Sequence, residues 1–480
     1  MVEPPGDLED DVVVALPLDD GVAGVVLADV VVVEVVPVEG AGVVALVDAG
    51  GVPLEVVVAE GWLEPPHAAS TRLLSATTKV CAVCLTFSIA NAGGEVQYRA
   101  GAARSRRVSP LVAIALLTTY LTAYRMPLFE RLARRHGVEV LCFGGGERYV
   151  PAWFADLDHQ LAQAPFPARR LRGPREALTL GRRYDAVIGG FAGGAILPAA
   201  YAGARLHRRP FVLWASVWAQ PRSATHVVAL HATNHIYRHA DAVVAYGEHV
   251  RRFVAGIRGH DEDVFIAPQS VEPDLFGRVV SPEEIAAFRR AHHLPEGPLV
   301  VYVGRLVQEK GAAVLFEAWQ HVSGAMLVVI GEGPFAAAFD ALPGARLLGS
   351  LPRAQLPVAY AAAEFALLPS IPTPRFREPW GLVCNEAMHQ GRPMIASDAV
   401  GAVAGGLVVD GQTGVVVPAG DPDALAHAVR RLLNDPALGR RLGATARRAV
   451  GAYTYDAMAS GFDRAIAHAY GRARSPGRRH

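Results

Sequence analysis

Two glutamates with seven residues between them, Glu378 and Glu386, lie in the run Arg377-Glu378-Pro379-Trp380-Gly381-Leu382-Val383-Cys384-Asn385-Glu386. An earlier run, Tyr302-Val303-Gly304-Arg305-Leu306-Val307-Gln308-Glu309-Lys310-Gly311, carries two cations after a glycine. An arginine offers a flat fork for two phosphate oxygens, and a lysine offers a point charge. Carboxylates accept hydrogen bonds from hydroxyl groups. The two runs together suit a ligand with a dianionic centre and hydroxyl-rich ends. A nucleotide diphosphate sugar has that chemistry.

The elements that must hold these residues are readable. Leu299–Val303 is an apolar run that predicts a buried strand, with Gly304 as its turn and a helix over Gly311–Trp319. Arg305 and Lys310 then occupy the loop at the strand's carboxyl edge, where open α/β sheets bind ligands. When a sugar–oxygen bond breaks, negative charge grows on the departing phosphate. Fixed donors aimed there are worth roughly 3 kcal/mol each. Met326–Ile330 predicts the next strand, followed by Gly331. A short strand ends at Gly349, where the backbone of Gly349 and Ser350 can read a nucleobase edge. Phe365–Ser370 predicts the strand before the glutamate loop. Gly381 opens a helix from Leu382 to about His389. The amides of Gly381, Leu382 and Val383 then form a helix amino terminus, a ready anion site. Glu386, between one and two turns in, is placed for ribose hydroxyls. Glu378, just before the helix, is placed for hydroxyls of the sugar. A lone helix glutamate is an ordinary solvated residue, and a lone Gly-Arg…Lys-Gly is a common loop. Their order on alternating strands and helices is what carries the functional reading.

Strand–helix alternation begins earlier, at Leu111, the mark of a parallel sheet covered on both faces. Leu111–Leu117 predicts a first buried strand. Pro127–His136 predicts a helix with Leu128, Phe129 and Leu132 facing in and Gly137 as its cap. Further strands are expected over Val138–Cys142, Tyr184–Gly190, Pro210–Trp214 and Ala240–Ala245. Gly193 and Gly194 make a turn that places bare amides at the sheet edge. The segment Trp214–His235, rich in His, Trp and Ser, is the candidate for acceptor contacts. His231 and His235 share a helix face, but no Glu lies between them in a zinc-protease arrangement. With His226 they read as polar residues of a half-exposed helix. From Arg125 to Arg209 there are 14 Arg, no Lys and 7 acidic residues, a local charge of +7. If those charges share one face, they favour an anionic membrane surface or an anionic acceptor.

The whole chain has 480 residues, no net charge and 51% apolar residues, an ordinary globular composition for two or three domains. Its 4 cysteines (Cys81, Cys84, Cys142 and Cys384) are too scattered for a disulfide framework. A reducing, cytoplasmic setting fits, with peripheral contact at the inner membrane face as a further expectation. No run of uncharged apolar residues reaches the roughly 18 that span a bilayer. No nucleic-acid partner is expected. Residues 1–71 hold 14 acidic residues and no Lys or Arg. Between Asp11 and Glu60, 42 of 50 residues are Val, Ala, Asp, Glu or Gly, all with codons beginning in G. A GC-rich gene read in register from its opposite strand has this composition. Residues 1–107 are therefore expected to be an acidic low-complexity extension outside the working protein. A small acidic β-rich domain is the alternative. The working parts are then expected at 108–275 (acceptor domain), 276–455 (nucleotide-sugar domain) and 456–480 (a returning helix and basic tail).

The quoted runs, with Ile330–Pro334, Leu348–Ser370, Asp410–Pro418 and Asp421–Leu425, resemble the retaining GT-B glycosyltransferases of family 4, the "glycosyl transferases group 1" type. The resemblance covers 297–450 closely and 111–276 loosely. Tyr124–Leu132 and Ala267–Phe276 are the landmarks in the looser part. It implies an α/β chain of two Rossmann-like, doubly wound domains facing a cleft. The last helix, near Tyr453–Tyr470, would cross back to the first domain. Carried over by motif, Arg305 and Lys310 would bind the diphosphate, Glu386 the ribose and Glu378 the transferred sugar. The implied catalytic set is Arg305, Lys310 and Glu378. Gly304, Gly331, Gly349, Ser350, Gly381, Leu382, Val383 and Glu386 complete the donor site. The family's chemistry implies retention of anomeric configuration, no metal and no cofactor beyond the nucleotide diphosphate sugar as co-substrate. The expected partners are that donor and a glycan, lipid-linked or small-molecule acceptor. Two departures stand out. Many members carry a His after the strand that here reads Phe211–Ala215, where this chain has Trp214, Ala215, Ser216 and Val217. The glycine-rich turn after the first strand is replaced by Thr118–Thr122. A sugar-nucleotide 2-epimerase of the same architecture and a non-catalytic glycan-assembly partner are the competing functions.

Overall fold

The structure is a computed structural model of the chain. It describes residues 114–144, 157–190, 194–219, 224–374 and 376–474, together with five strands nearer the amino terminus. Those strands are β1 (Ala15–Leu18), β2 (Val22–Val25), β3 (Val30–Val38), β4 (Ala41–Asp48) and β5 (Val56–Glu60). They pair antiparallel, β1 with β2 and β3 with β4 with β5. The expectation that 1–107 stands apart from the working protein otherwise lies outside the described residues, as do Cys81, Cys84 and Gly193.

The first large sheet has seven strands: β6 (Ile114–Thr118), β7 (Val138–Cys142), β8 (Ala168–Arg170), β9 (Ala186–Gly189), β10 (Phe211–Ala215), β11 (Ala242–Ala245) and β12 (Val264–Ile266). Their spatial order is β12-β11-β10-β9-β6-β7-β8, and all neighbours are parallel. Continuous apolar runs make this possible, because helices cover both faces. The helix Met126–His136 buries Leu128, Phe129 and Leu132, the stripe its sequence predicts. Gly137 ends it at φ 62°, a left-handed position, and donates its N–H to Ala133 O.

The second sheet has six parallel strands: β13 (Leu299–Val303), β14 (Met326–Ile330), β15 (Ala345–Gly349), β16 (Phe365–Leu368), β17 (Met394–Ser397) and β18 (Gly414–Val417). The order is β15-β14-β13-β16-β17-β18. The chain therefore fills one side from β13 and then the other from β16. That reversal opens a crevice at the carboxyl ends of β13 and β16, the place where such sheets bind ligands. The first sheet reverses in the same way between β6 and β9.

The helix Tyr455–Arg474 lies against the first sheet's elements. Arg131 and Arg135 pair with Asp456, and Arg135 also pairs with Asp463. Such partly exposed pairs contribute about 0–1 kcal/mol each. The larger contribution comes from Met458, Ala459 and Phe462, all buried, because a fully buried side chain of Phe or Met size is worth about 1.5–3 kcal/mol. Phe462 meets Trp214 edge to face at 5.1 Å between ring centres.

The arginines of 125–209 do not form one bare cationic face. Arg169 pairs with Glu139 and Glu176, Arg170 with Asp158, Arg205 with Asp241 and Arg209 with Asp185. These partners are dispersed over several elements, so these arginines each meet a carboxylate. Among the described residues no helix is long and apolar enough to cross a membrane.

Candidate active site

The loop after β13 and the loop after β16 emerge side by side, because their strands are parallel neighbours with Tyr302 opposite Leu367. Gly311 makes the close approach possible. Its φ is 74°, and a Cβ there would lie 1.8 Å from Pro369 O. Ile371 N–H donates to Glu309 O at 3.1 Å, tying the two loops by backbone. Tyr302 Oη donates to Arg305 O at 2.9 Å and holds the cationic loop from beneath.

Lys310 Nζ donates to Glu378 Oε2 at 2.5 Å, and Ser370 Oγ donates to the same oxygen at 3.1 Å. Glu378 is 5% exposed, so this is a desolvated pair in which each charge depends on the other. The sequence places Lys310 at the diphosphate and Glu378 at the adjoining sugar. They touch directly, because the switch between β13 and β16 brings their loops together. Arg305 is the more open cation. Its side chain is 40% exposed and meets Glu309 at 3.2 Å.

Glu378 is anchored through its backbone. It bridges in parallel to Val400, and its carbonyl accepts Gly401 N–H at 3.1 Å. Gly381, at φ 93°, turns the chain into the helix Leu382–His389. A Cβ there would lie 2.5 Å from Leu368 Cδ2. The amides of Leu382 and Val383 belong to the first turn, where no preceding turn supplies carbonyl partners. Glu386 lies on this helix, buried, and accepts Tyr360 Oη at 2.7 Å. Burial pushes its carboxyl up to about 7, against the hydrogen bond from Tyr360 and the nearby Arg353, which lower it. Arg353 forks onto Glu272 with two contacts of 2.6 Å. Gly304 N–H donates to Ile330 O, and Gly331 N–H donates to Gly349 O, so these three glycines line up along the ends of β13, β14 and β15. Ser350 follows Gly349 directly.

The first domain reaches this site through residues that the sequence reading did not assign. Trp218 Nε1 donates to Glu378 O at 2.9 Å, and the Arg377 guanidinium stacks 3.7 Å from the Trp218 ring centre. His249 Nε2 donates to Pro379 O at 3.0 Å. Burial holds the His249 imidazole down to about 4, so it is neutral there. Asn385 Nδ2 donates to Gln269 O, and Asn385 Oδ1 accepts from Trp380 Nε1. Trp218 does fall within the segment proposed for acceptor contacts, but its partner is the donor-side loop. Nothing local in sequence marks Ser370 or Tyr360, since each matters only through the carboxylate it meets. His235 packs on Tyr201 and His239 rather than on this site. Among the described residues no group of His, Cys, Asp and Glu is arranged to hold a metal. Cys142 and Cys384 are buried free thiols, and burial raises Cys142 to about 12.

The family model described as Glycosyl transferases group 1 matches residues 297–435, the span that holds β13–β18 and both motif loops. Residues 297–435 belong to that family. Around this glycosyl transferase domain the chain is similar to an α-D-kanosaminyltransferase of Streptomyces kanamyceticus, at 34% identity over 172 residues, 34% of this chain and 43% of that protein. It is also similar to a GDP-mannose-dependent α-(1-6)-phosphatidylinositol monomannoside mannosyltransferase of Mycolicibacterium smegmatis, at 30% over 239 residues, 46% and 60%. The chain thus spans about half the length of the curated relatives it matches. Anabaena HepE, solved in complex with UDP, superposes with a TM-score of 0.62 at 18% identity, covering 74% of this chain and 99% of that one. Sucrose-phosphate synthase of Thermosynechococcus elongatus gives 0.56 at 21%, covering 75% and 99%. These likenesses show the fold: two doubly wound sheets facing a cleft, the GT-B arrangement. The glycosyl transferase domain supplies the Arg305–Lys310 loop and both glutamates to that cleft.

Proposed function

We propose that the chain is a retaining hexosyltransferase, moving a hexosyl group from a nucleotide diphosphate sugar to a glycan, lipid-linked or small-molecule acceptor. The observation that carries this is the meeting of Lys310 and Glu378 at the switch point, with Arg305 beside them. Arg305 and Lys310 take the diphosphate, and the amides of Leu382 and Val383 add donors to it. Glu386 receives the ribose hydroxyls. Glu378, held by Lys310 and Ser370, keeps its other oxygen for the sugar. As the glycosidic bond breaks, the charge appearing on the leaving phosphate falls between fixed cations. The same phosphate can take the acceptor proton on the face it leaves, which retains configuration. Two cations and a helix amino terminus do the work a metal would do, so the reaction is proposed to be metal-independent.

The known relatives support the donor class. The mannosyltransferase is named for GDP-mannose, and HepE was solved with UDP and with UDP-glucose. The nucleotide is tested by thermal unfolding of the full chain against GDP-, UDP- and ADP-sugars. A ligand at a hundred times its dissociation constant adds about 2.7 kcal/mol of stability. One nucleotide series should stand out. No shift with any of the three overturns the donor reading. Conversion of a sugar nucleotide to its 2-epimer without acceptor would replace transfer by isomerisation.

A further inference from the structure

In the first domain, the carboxyl ends of β6 and β10 hold a cluster of donors that no described group accepts from. Arg125 Nε, Thr122 Oγ1, Trp214 Nε1 and Ser216 Oγ are all buried and without a hydrogen-bond partner. They are neighbours. Arg125 N–H closes a single turn onto Thr122 O at 2.8 Å. The Arg125 guanidinium lies 4.8 Å from the Trp214 ring centre, and its Nη2 donates to Tyr246 Oη at 2.5 Å. Ser216 follows Trp214 by two residues along the same chain direction, and Tyr246 N–H donates to Ala215 O between them.

A guanidinium is always charged, yet among the described residues no carboxylate pairs with Arg125. This sets it apart from Arg131, Arg135, Arg169, Arg170 and Arg205, each of which has an acidic partner. Leaving a half-buried cation without a counter-charge beside several buried donors without acceptors is costly, and such groups mark places where a ligand completes the bonding. Every group in the cluster can donate. The missing partner is therefore an acceptor of hydrogen bonds with negative charge.

The cluster also borders the cleft. Four residues beyond Trp214, Trp218 donates to Glu378 O. On the other flank, Tyr124 O accepts from Tyr455 Oη, which also reaches Glu272, the partner of Arg353.

We propose that Arg125, with Thr122, Trp214 and Ser216, binds an oxyanion, phosphate or carboxylate, carried by the acceptor. Calling the ligand the acceptor rests on the transferase reading above; the anion site itself does not. Calorimetric titration of the full chain with glucose, glucose 6-phosphate and glucuronate tests it. At least one charged sugar should bind roughly tenfold more tightly than glucose, the scale of a charge-assisted hydrogen bond. Arg125→Gln should bring that preference within about twofold. Arg125→Lys, which keeps the charge but loses the fork, should retain part of it and guards against a folding defect. Lys310→Ala should keep the preference while losing nucleoside diphosphate binding, so a failed donor reading is seen separately. A preference for glucose 6-phosphate alone assigns a phosphorylated acceptor, and one for glucuronate alone assigns an acidic sugar. Equal binding of all three sugars, or a charge preference unchanged in Arg125→Gln, overturns the proposal.

Discussion

Lys310 Nζ sits 2.5 Å from Glu378 Oε2, although 68 residues separate them in the chain. The contact follows from β13 and β16 being adjacent parallel strands, whose loops leave the sheet at the same edge. Glu378 is nearly inaccessible and Lys310 only partly open, so water screens the pair weakly. The pair presents the ligand with a cation already oriented by its anion.

Removing one member should be worse for stability than removing both. Lys310→Met should cost about 3–5 kcal/mol, because Glu378 keeps a buried charge without its partner. Adding Glu378→Gln to that variant should recover part of the loss. Urea unfolding of the two singles and the double measures the coupling. Additive losses would show that the pair does not interact.

Turnover should depend on both cations. Arg305→Ala and Lys310→Ala should each lower it at least roughly tenfold with the fold intact. Circular dichroism together with a donor-consumption assay checks this. Wild-type rates in either variant would contradict the diphosphate role.

Glu386 gives a pH signature. Its carboxyl is raised by burial from 4.5 to about 7, so between those values the folded chain binds more protons than the unfolded one. Its contribution to stability is present below 4.5 and is lost as pH rises through about 7. Glu386→Gln should remove that component from a stability–pH curve. If the ionised carboxylate holds ribose, sugar-nucleotide affinity should rise across pH 7 in the wild type. It should be weaker and flat in the variant, and calorimetry at several pH values decides.

His249 acts in the opposite sense. Burial lowers its imidazole from 6.5 to about 4. Its neutral form contributes stability above 6.5 that is lost as pH falls toward 4. Protonation would place a second N–H at Nδ1, which is buried without a partner, at the contact with Pro379. Thermal unfolding of His249→Gln should show a shallower decline over that window than the wild type. An identical decline would remove His249 from the acid response.

Trp218 should couple the domains. It joins Glu378 O by a hydrogen bond and carries the stacked Arg377. A Trp218→Ala, Arg377→Ala double-mutant cycle should give a coupling of about 0.5–1 kcal/mol. Zero coupling would leave the stacking without energetic weight.

Much of this protein is local in character, and the sequence alone determined those parts. The apolar runs Leu299–Val303, Met326–Ile330 and Val138–Cys142 became strands over those residues, because a parallel strand buried on both faces needs an unbroken apolar stretch. Gly137 and Gly381 end and begin helices where their backbone freedom is required. The local placement of Arg305 and Lys310 after β13, of Glu378 just before the Gly381 turn and of Glu386 on the helix that follows it was legible for the same reason: each sits close in sequence to a strand end or a glycine turn. Which of them touch was not legible. That depends on strand order, and order is set by packing between segments far apart in sequence. Only the tertiary structure paired Lys310 with Glu378, gave Glu386 its Tyr360 partner and a carboxyl near 7, and brought Trp218 and His249 onto the glutamate loop. It also sorted the arginines. Sequence counted an excess of charge over 125–209, whereas the fold gave most of those side chains a carboxylate and gave Arg125 aromatic rings and a phenol hydroxyl instead.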